Sequence, residues 1–281
     1  MAVNKFVTVN GIKLHFLDHG EAARPPLVCI HGLSGNAHNF DGLAPYLSGA
    51  YQVVALDVRG RGDSQWGQPG DYTPGNYVSD LVSLLDQLEI ERVTLIGTSM
   101  GGIISMMFAG GYPERVERLV LNDIGPETDP VGLNRITNYM TASPSEFNNL
   151  DEVAAYYREN YPPLSGMADD VSREFVRWTV KPAENGKLTW KMDPAIRNLR
   201  RTGTAARAMD LWVPYARITA PILVVRGGDS DILSAGTARR MCAVLRSTRV
   251  VEVPGVGHAP SLLEPEALTA IKEFLLPSTY R

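Results

Sequence analysis

The feature that most constrains the fold of this chain is a series of short apolar runs that alternate with helix-like stretches. The runs are rich in β-branched residues and are bounded by turn-forming residues, which suits strands buried on both faces of a sheet. Strands separated by helices pair in parallel. The runs cover residues 27–30, 53–56, 93–96, 119–121, 222–225 and 250–253. The sequence therefore predicts an α/β fold.

The start of the chain carries a different signal. Asn10-Gly11 lies between the strand-like segments 6–9 and 12–17, and Asn-Gly in such a place is the strongest short hairpin signal. We therefore expect the sheet to begin with an antiparallel pair. Together with the later runs, this predicts a mostly parallel central sheet of about eight strands flanked by helices.

The alternation stops between about residues 125 and 215 and resumes at Pro221. We predict that residues 1–124 and 216–281 form the core domain and that residues 125–215 form an inserted, mainly helical cap. The interval contains the helix-like segment 151–160 and a second Asn-Gly pair at 185–186 that suits a small hairpin. Its aromatic residues are candidates to line a substrate pocket: Tyr139, Tyr156, Tyr157, Tyr161, Trp178, Trp190 and Trp212.

Composition excludes several classes of protein. With 281 residues, 44% of them hydrophobic, the chain can bury a large core without a disulfide or a structural metal. The net charge is −4 and the basic residues are scattered, so we expect no nucleic-acid partner. No segment resembles a signal peptide or reaches membrane-spanning length. With Cys29 and Cys242 expected as reduced packing residues, a cytoplasmic location is predicted, while the oligomeric state is not.

Ser99 is the candidate nucleophile. It is the centre of Gly97-Thr98-Ser99-Met100-Gly101, which follows the run 93–96 and precedes a helix-like segment. A serine on a sharp turn from strand to helix takes a strained conformation, and glycines two residues away on both sides let the neighbouring backbone come close. The turn lifts the hydroxyl above the sheet.

His258 is the candidate general base. In an architecture of this kind the nucleophile comes first in the chain, the acid second and the histidine last. Of the five histidines only His258 follows Ser99, and it lies directly after the last strand-like run. A serine hydroxyl needs such a base, with a pKa near 7, within hydrogen-bond reach.

The acid that orients His258 has three candidates. It should follow a strand between Ser99 and His258, because such a position faces the same edge of the sheet as the nucleophile. Asp229 and Asp231 follow the run 222–225, and Asp123 follows the run 119–121. A carboxylate here would hold the histidine tautomer and stabilise the imidazolium.

An oxyanion hole needs two backbone donors. Met100, the residue after the nucleophile, is expected to supply one N–H group. The second is expected from the loop His31-Gly32-Leu33-Ser34-Gly35, where the flanking glycines favour Leu33. His31 is interpreted as a residue that shapes this loop.

These segments together resemble the α/β-hydrolase superfamily, specifically its cap-bearing esterase-like and meta-cleavage-hydrolase-like branches. The resemblance covers nearly the whole chain and also rests on the segments 57–64 and 226–231. It implies that Asp231 is the acid of a triad with Ser99 and His258, and that segment 57–64 is a structural turn without chemistry. It implies no metal and no organic cofactor.

Departures from the pattern narrow the function. Haloalkane dehalogenases and epoxide hydrolases carry aspartate where this chain has Ser99, which disfavours both activities. Meta-cleavage hydrolases share the elbow 99–102 but usually have Gly-Pro-Gly-Ala where this chain has Ser34-Gly35-Asn36-Ala37. The sequence therefore predicts a hydrolase of small carboxylic esters or lactones that works through an acyl-enzyme on Ser99.

Two alternatives stay open. One is hydrolysis of a carbon–carbon bond in a vinylogous diketone acid, for which basic residues such as Arg135, Arg173 or Arg177 would have to turn inward. The other is a ligand-binding signalling protein that keeps an intact triad, because a fold does not determine a function.

Overall fold

A mostly parallel sheet of eight strands forms the centre of the computed structural model, which describes residues 2–160, 169–201 and 210–276. The strands are β1 (Val3–Val9), β2 (Ile12–His19), β3 (Pro26–Ile30), β4 (Gln52–Leu56), β5 (Val93–Thr98), β6 (Val116–Asn122), β10 (Ile222–Gly227) and β11 (Thr248–Val253). Their order across the sheet is β1-β2-β4-β3-β5-β6-β10-β11. Each of the predicted apolar runs lies in one of these strands, so the predicted fold class is confirmed.

The antiparallel start of the sheet is also confirmed. β1 and β2 pair antiparallel, and the turn between them has positive φ angles of 50° at Asn10 and 74° at Gly11. β2 pairs antiparallel with β4, and the remaining pairs are parallel. The carboxyl ends of β5, β6 and β10 therefore meet at one edge of the sheet.

Ten α-helices lie within the described ranges. They are α1 (Ala44–Leu47), α2 (Pro74–Gln87), α3 (Met100–Gly111), α4 (Pro130–Ala142), α5 (Leu150–Asn160), α6 (Asp169–Val176), α7 (Pro194–Arg201), α8 (Trp212–Ala216), α9 (Ala235–Val244) and α10 (Pro265–Leu275). None of these helices has both the length and the apolar character needed to cross a membrane.

Alternating side chains of the central strands build two hydrophobic clusters, one on each face of the sheet. In β3, Val28 and Ile30 join the cluster that also holds side chains of α2, α3 and α8. Leu27 and Cys29 join the cluster beneath α1 and α10. Burial on both faces explains why these strands are continuous apolar runs, and it fixes the heights at which their ends emerge.

Between β6 and β10 the chain adds α4 to α8 and a small sheet instead of further central strands, as far as the described residues extend. The small sheet consists of β7 (Glu146–Phe147), β9 (Leu188–Trp190) and β8 (Val180–Pro182), in that order. β8 and β9 form the second predicted hairpin, with Gly186 at a φ of 79°. A separate hydrophobic cluster supports this part, and the assignment of residues 125–215 as a cap stays a prediction.

Candidate active site

Ser99 occupies the turn between β5 and α3 in a strained conformation, with φ 52° and ψ −113°. Glycines make this turn possible. A Cβ atom on Gly101 would lie 2.0 Å from the carbonyl oxygen of Ile30, and one on Gly97 would lie 2.5 Å from the carbonyl oxygen of Gly101. The turn therefore needs glycine at both positions, and it holds the Ser99 hydroxyl at the carboxyl edge of the sheet.

His258 lies on the loop after β11 and connects two other functional groups. Its Nε2 atom is 2.8 Å from Ser99 Oγ, and its Nδ1 atom is 2.8 Å from Asp123 Oδ2. The imidazole is 7% exposed. With Nδ1–H donating to the carboxylate, Nε2 is the atom that can accept the proton of Ser99.

Asp123 follows β6 directly and is completely buried. Its φ of 53° turns the chain back towards β10. Its Oδ1 atom accepts a hydrogen bond of 2.9 Å from the N–H of Gly227, and its Oδ2 atom accepts one of 2.6 Å from the hydroxyl of Ser230. These two donors fix the carboxylate beside His258 and satisfy it in a site without water contact.

The structure corrects the predicted position of Asp231. Its carboxylate does not bind His258 but accepts hydrogen bonds from Arg135, of 2.6 Å from Nε and 2.9 Å from Nη2. The Arg135 guanidinium holds the pKa of Asp231 below its ordinary value. Asp229 is exposed, and its backbone N–H donates to Val256. Asp123, another of the three candidates, lies beside His258 in the position that the resemblance implied for Asp231.

Neighbouring strands explain why the sequence did not separate these acids. Asn122, the last residue of β6, pairs with Val225 of β10, which continues to Gly227, and aspartates follow both strands in the chain. Contacts with α4 then hold Asp231 away from His258. The N–H of Gly132 donates to the carbonyl oxygen of Asp231 at 3.1 Å, and Arg135, three residues further along the same helix, reaches the Asp231 side chain.

Two supporting residues were not predicted from the sequence. Ser230 donates to Asp123, and its hydroxyl oxygen accepts the N–H of Leu233 at 3.1 Å. The side-chain amide of Asn122 donates to the carbonyl oxygen of Pro260 at 2.8 Å and so holds the loop that carries His258. The only signal for either residue is its position at a strand end or in the turn after a strand.

The predicted oxyanion donors lie next to the nucleophile. Met100 is the first residue of α3 and directly follows Ser99. A Cβ atom on Gly32 would lie 3.6 Å from the Cβ atom of Ser99, so the loop that contains Leu33 passes close to the nucleophile. The role of the Leu33 and Met100 amides stays a prediction.

His31 shapes this loop, in agreement with its interpretation from the sequence. Its ring is completely buried. Nε2 accepts the N–H of Val58 at 3.1 Å, which makes Nδ1 the protonated atom, and Nδ1 donates to the carbonyl oxygen of Gly32 at 2.7 Å. Burial lowers the pKa of His31 to about 4. The imidazole is therefore neutral and acts as a fixed bridge between β3 and the segment after β4.

Two cavities meet at Ser99, and both include Leu33 and Ile136 in their walls. Cavity A has a volume of about 530 Å³ and cavity B one of about 510 Å³. The wall of cavity A carries His258 and several polar or aromatic side chains: Arg135, Tyr139, Tyr157, Ser261 and Glu264. The wall of cavity B is mainly apolar and contains Met100, Ile103, Ile124, Leu211 and Ile232, with Arg61 and Tyr77 among them.

The aromatic candidates of the interval have different positions. Tyr139 and Tyr157 line cavity A, as predicted for some members of the group. Tyr161 lies outside the described residues. The remaining ones pack against other rings: Tyr156 against Trp190, Trp178 against His38, and Trp212 against Tyr215.

Within the described ranges, His15, Asp57 and Asp63 come close enough to suggest a metal site, with ligand atoms within 4.8 Å of one another. The hydrogen bonds of Asp57 explain the cluster differently. Its carboxylate accepts the N–H groups of Ala37 at 2.6 Å and Asp63 at 2.8 Å, and it contacts the His15 ring at 2.7 Å. Asp57 therefore joins three segments of the core.

The neutral state of His31 predicts a pH dependence of stability. The unfolded chain binds a proton at this histidine below about pH 6.5 and the folded chain only below about pH 4, so stability falls as the pH decreases through this window. The shift corresponds to about 3 kcal/mol. In urea unfolding, His31→Gln should lower the free energy of unfolding at neutral pH and reduce its slope between these pH values. An unchanged slope would contradict a buried neutral His31.

Comparisons with known proteins agree with this geometry. The chain matches the model of the α/β hydrolase fold family over residues 25–265. It is 36% identical to a 3-hydroxybutyrate-oligomer hydrolase of Cupriavidus necator, over 93% of this chain and 92% of that protein. It is 27% identical to a 2-(acetamidomethylene)succinate hydrolase of Mesorhizobium japonicum, over 97% of this chain and 95% of that protein.

A solved structure gives the same result. The crystal structure of an α/β hydrolase from Novosphingobium aromaticivorans is similar, with a TM-score of 0.87 and 34% identity over 97% of each chain. The family match covers most of the chain. The structure has the mostly parallel eight-stranded sheet and the serine turn between a strand and a helix that the resemblance implied. The chain belongs to the α/β hydrolase fold family.

Proposed function

We propose that this protein is a serine hydrolase that cleaves a carboxylic ester or lactone through an acyl-enzyme on Ser99. The observation that carries the proposal is the continuous contact from Ser99 Oγ to His258 Nε2 and from His258 Nδ1 to Asp123 Oδ2, at 2.8 Å each. A nucleophile, a base and an orienting acid in this order form the constellation that activates serine.

The mechanism uses side chains and backbone groups of the chain itself. Ser99 Oγ attacks the carbonyl carbon while His258 Nε2 accepts its proton, and Asp123 stabilises the imidazolium. The N–H groups of Leu33 and Met100 hold the oxyanion of the tetrahedral intermediate. His258 then donates the proton to the leaving alkoxide, and a water molecule deprotonated by His258 releases the acid from Ser99.

The two cavities suggest where each part of the substrate lies. The leaving oxygen must face His258 to receive its proton, and His258 lies in the wall of cavity A. We therefore place the alcohol part in cavity A. The acyl part then extends into the mainly apolar cavity B. Residues 125–215, acting as a cap, supply α4 and Tyr139 to the wall of cavity A and help to set its length.

The relative from Cupriavidus necator supports a first choice of substrate. It is named for the hydrolysis of 3-hydroxybutyrate oligomers, in which an ester links two small hydroxy acids, and it aligns with nearly the whole chain. An ester with a group on both sides of the carbonyl fits a nucleophile between two cavities of similar volume. Short esters of hydroxy acids are therefore the substrates to test first.

A second candidate is hydrolysis of a carbon–carbon bond in an anionic substrate. Of the basic residues named for it, Arg135 lines cavity A, where its guanidinium is paired with Asp231. The other basic residues named for this alternative point elsewhere. Arg173 pairs with Asp151, and Arg177 pairs with Glu174, with about half of each arginine side chain exposed. This arrangement gives the ester reaction the stronger support.

The proposed setting of the enzyme is the cytoplasm. Cys29 and Cys242 are free thiols, and Cys29 is completely buried in β3. Burial raises the pKa of the Cys29 thiol, so it packs as a small hydrophobic residue. Reduced, unpaired cysteines are typical of a reducing compartment.

The proposal predicts that Ser99→Ala abolishes turnover. The purified protein should hydrolyse p-nitrophenyl butyrate and 3-hydroxybutyrate dimer, and the variant should lose roughly 10⁴-fold to 10⁶-fold in kcat because the nucleophile is absent. A fluorophosphonate probe should add one covalent mass to the wild-type protein and none to Ser99→Ala. Folded wild-type protein that neither reacts with the probe nor cleaves any ester would overturn the proposal.

The geometry also predicts which aspartate orients the histidine. Asp123→Asn should lower kcat about 10³-fold to 10⁴-fold, since the amide no longer stabilises the imidazolium. Asp231→Asn is the matched control, and it should keep kcat within about tenfold because it removes only a partly exposed ion pair with Arg135. Steady-state kinetics with one ester measures both. The reverse order of effects would restore Asp231 as the acid.

A further inference from the structure

Arg61 is a buried cation in the wall of cavity B, and no carboxylate of the described residues forms an ion pair with it. Arg59, two residues earlier, shows the usual solution. Its Nε and Nη2 atoms bind the Asp80 carboxylate at 2.5 and 2.6 Å. Burying a guanidinium without a counter-ion is strongly unfavourable. The two neighbouring arginines therefore differ: Arg59 has a buried counter-ion, and Arg61 has none among the described residues.

The contacts of Arg61 lead to the two predicted oxyanion donors. Its Nε–H donates to the carbonyl oxygen of Leu33 at 3.3 Å, and its Nη2 atom lies 3.3 Å from Met100 Sδ. Nη1 donates to Tyr77 Oη at 2.7 Å and to the carbonyl oxygen of Arg59 at 2.9 Å. One guanidinium thus joins the loop after β3 to the first residue of α3.

The turn that presents Arg61 is rigid. Gly60 and Gly62 flank it with φ angles of 76° and 54°. A Cβ atom on Gly62 would lie 2.1 Å from the Asp57 carboxylate, and one on Gly60 would lie 2.5 Å from the Tyr72 ring. Larger residues are therefore excluded on both sides, and the Arg61 side chain is held inward beneath the oxyanion loop.

We propose that Arg61 is a positioning residue of the oxyanion hole. It restrains the backbone of Leu33 and the side chain of Met100, and it places an uncompensated positive charge beside the oxygen that becomes negative during the reaction. The inference rests on the proposed function, because only a reaction at Ser99 forms this anion.

The positive charge of Arg61 acts mainly in the transition state, when the oxyanion forms beside it. In a buried site, a preorganised positive group stabilises a developing anion far more than it would in water. Burial is the main cause of the lowered pKa of His31, and the positive charge of Arg61 adds to this effect in the resting protein. An acidic partner for Arg61 would cancel the field at Leu33 and Met100.

The test compares Arg61→Met and Arg61→Lys with Arg59→Lys, a matched change in the same turn. With a neutral ester, Arg61→Met should lower kcat about 10-fold to 100-fold with KM changed less than about threefold. Affinity for a boronic acid, which forms a tetrahedral adduct on Ser99, should fall by a similar factor. Arg61→Lys should recover part of both effects because it restores the charge. Arg59→Lys should lower Tm but leave kcat within about threefold.

Two outcomes would overturn the inference. In the first, Arg61→Met lowers Tm as Arg59→Lys does, while kcat and boronic acid affinity stay unchanged, which makes Arg61 structural. In the second, only KM for carboxylate-bearing esters rises, which makes Arg61 an anchor for a substrate carboxylate. The rate of fluorophosphonate labelling separates the two proposals. If wild type is labelled but cleaves no ester, slower labelling of Arg61→Met still supports the inference.

Discussion

The hydrogen bond between the buried Asp123 carboxylate and His258 is the interaction on which the rest of the site depends. Asp123 has no exposed surface, and it reaches His258 because the backbone turns at a positive φ directly after β6. The N–H of Gly227 and the hydroxyl of Ser230 hold it in place from the neighbouring strand end. The imidazole is thereby fixed with Nε2 towards Ser99. The arrangement depends on the parallel pairing of β6 with β10, which places Asn122 beside Val225.

Sequence reasoning predicted the parts of the site that local sterics and chain order determine. This turn requires glycine at positions 97 and 101, so the motif spacing, together with its place between a strand-like run and a helix-like segment and with the chain order, indicated Ser99. His258 is the only histidine after it in the chain. The strands were predicted because both faces of each one are buried in one of two clusters. These features need no knowledge of distant contacts.

The identity of the acid that orients His258 depends on a contact between segments that are distant in the chain. Asp123 and Asp231 follow neighbouring strands, and both satisfy the order of nucleophile, acid and histidine. What separates them is Arg135, which comes from α4, between β6 and β10, and binds Asp231 with two hydrogen bonds. Periodicity and motif spacing do not show where a residue of an insertion will lie. The loop after β10 supplies Ser230 to support the acid of β6 and does not supply the acid itself.

Most of the buried or partly buried charges around Ser99 are paired with an opposite charge. Arg135 and Asp231 neutralise each other beside cavity A, and Arg59 and Asp80 do so beneath the sheet edge. Arg61 is the exception among the buried arginines of this turn, and it lies beside the predicted oxyanion donors. His258 lines cavity A, Met100 and Arg61 line cavity B, and Leu33 lines both.

The most direct test of the account is the proton NMR spectrum of the hydrogen bond at His258 Nδ1. A proton shared between a protonated histidine and a buried carboxylate gives a resonance far downfield of the amide region. We expect this resonance to be present at low pH in the wild type, to stay at the same position in Asp231→Asn and to be lost from that position in Asp123→Asn. Loss in Asp231→Asn together with an unchanged resonance in Asp123→Asn would contradict it.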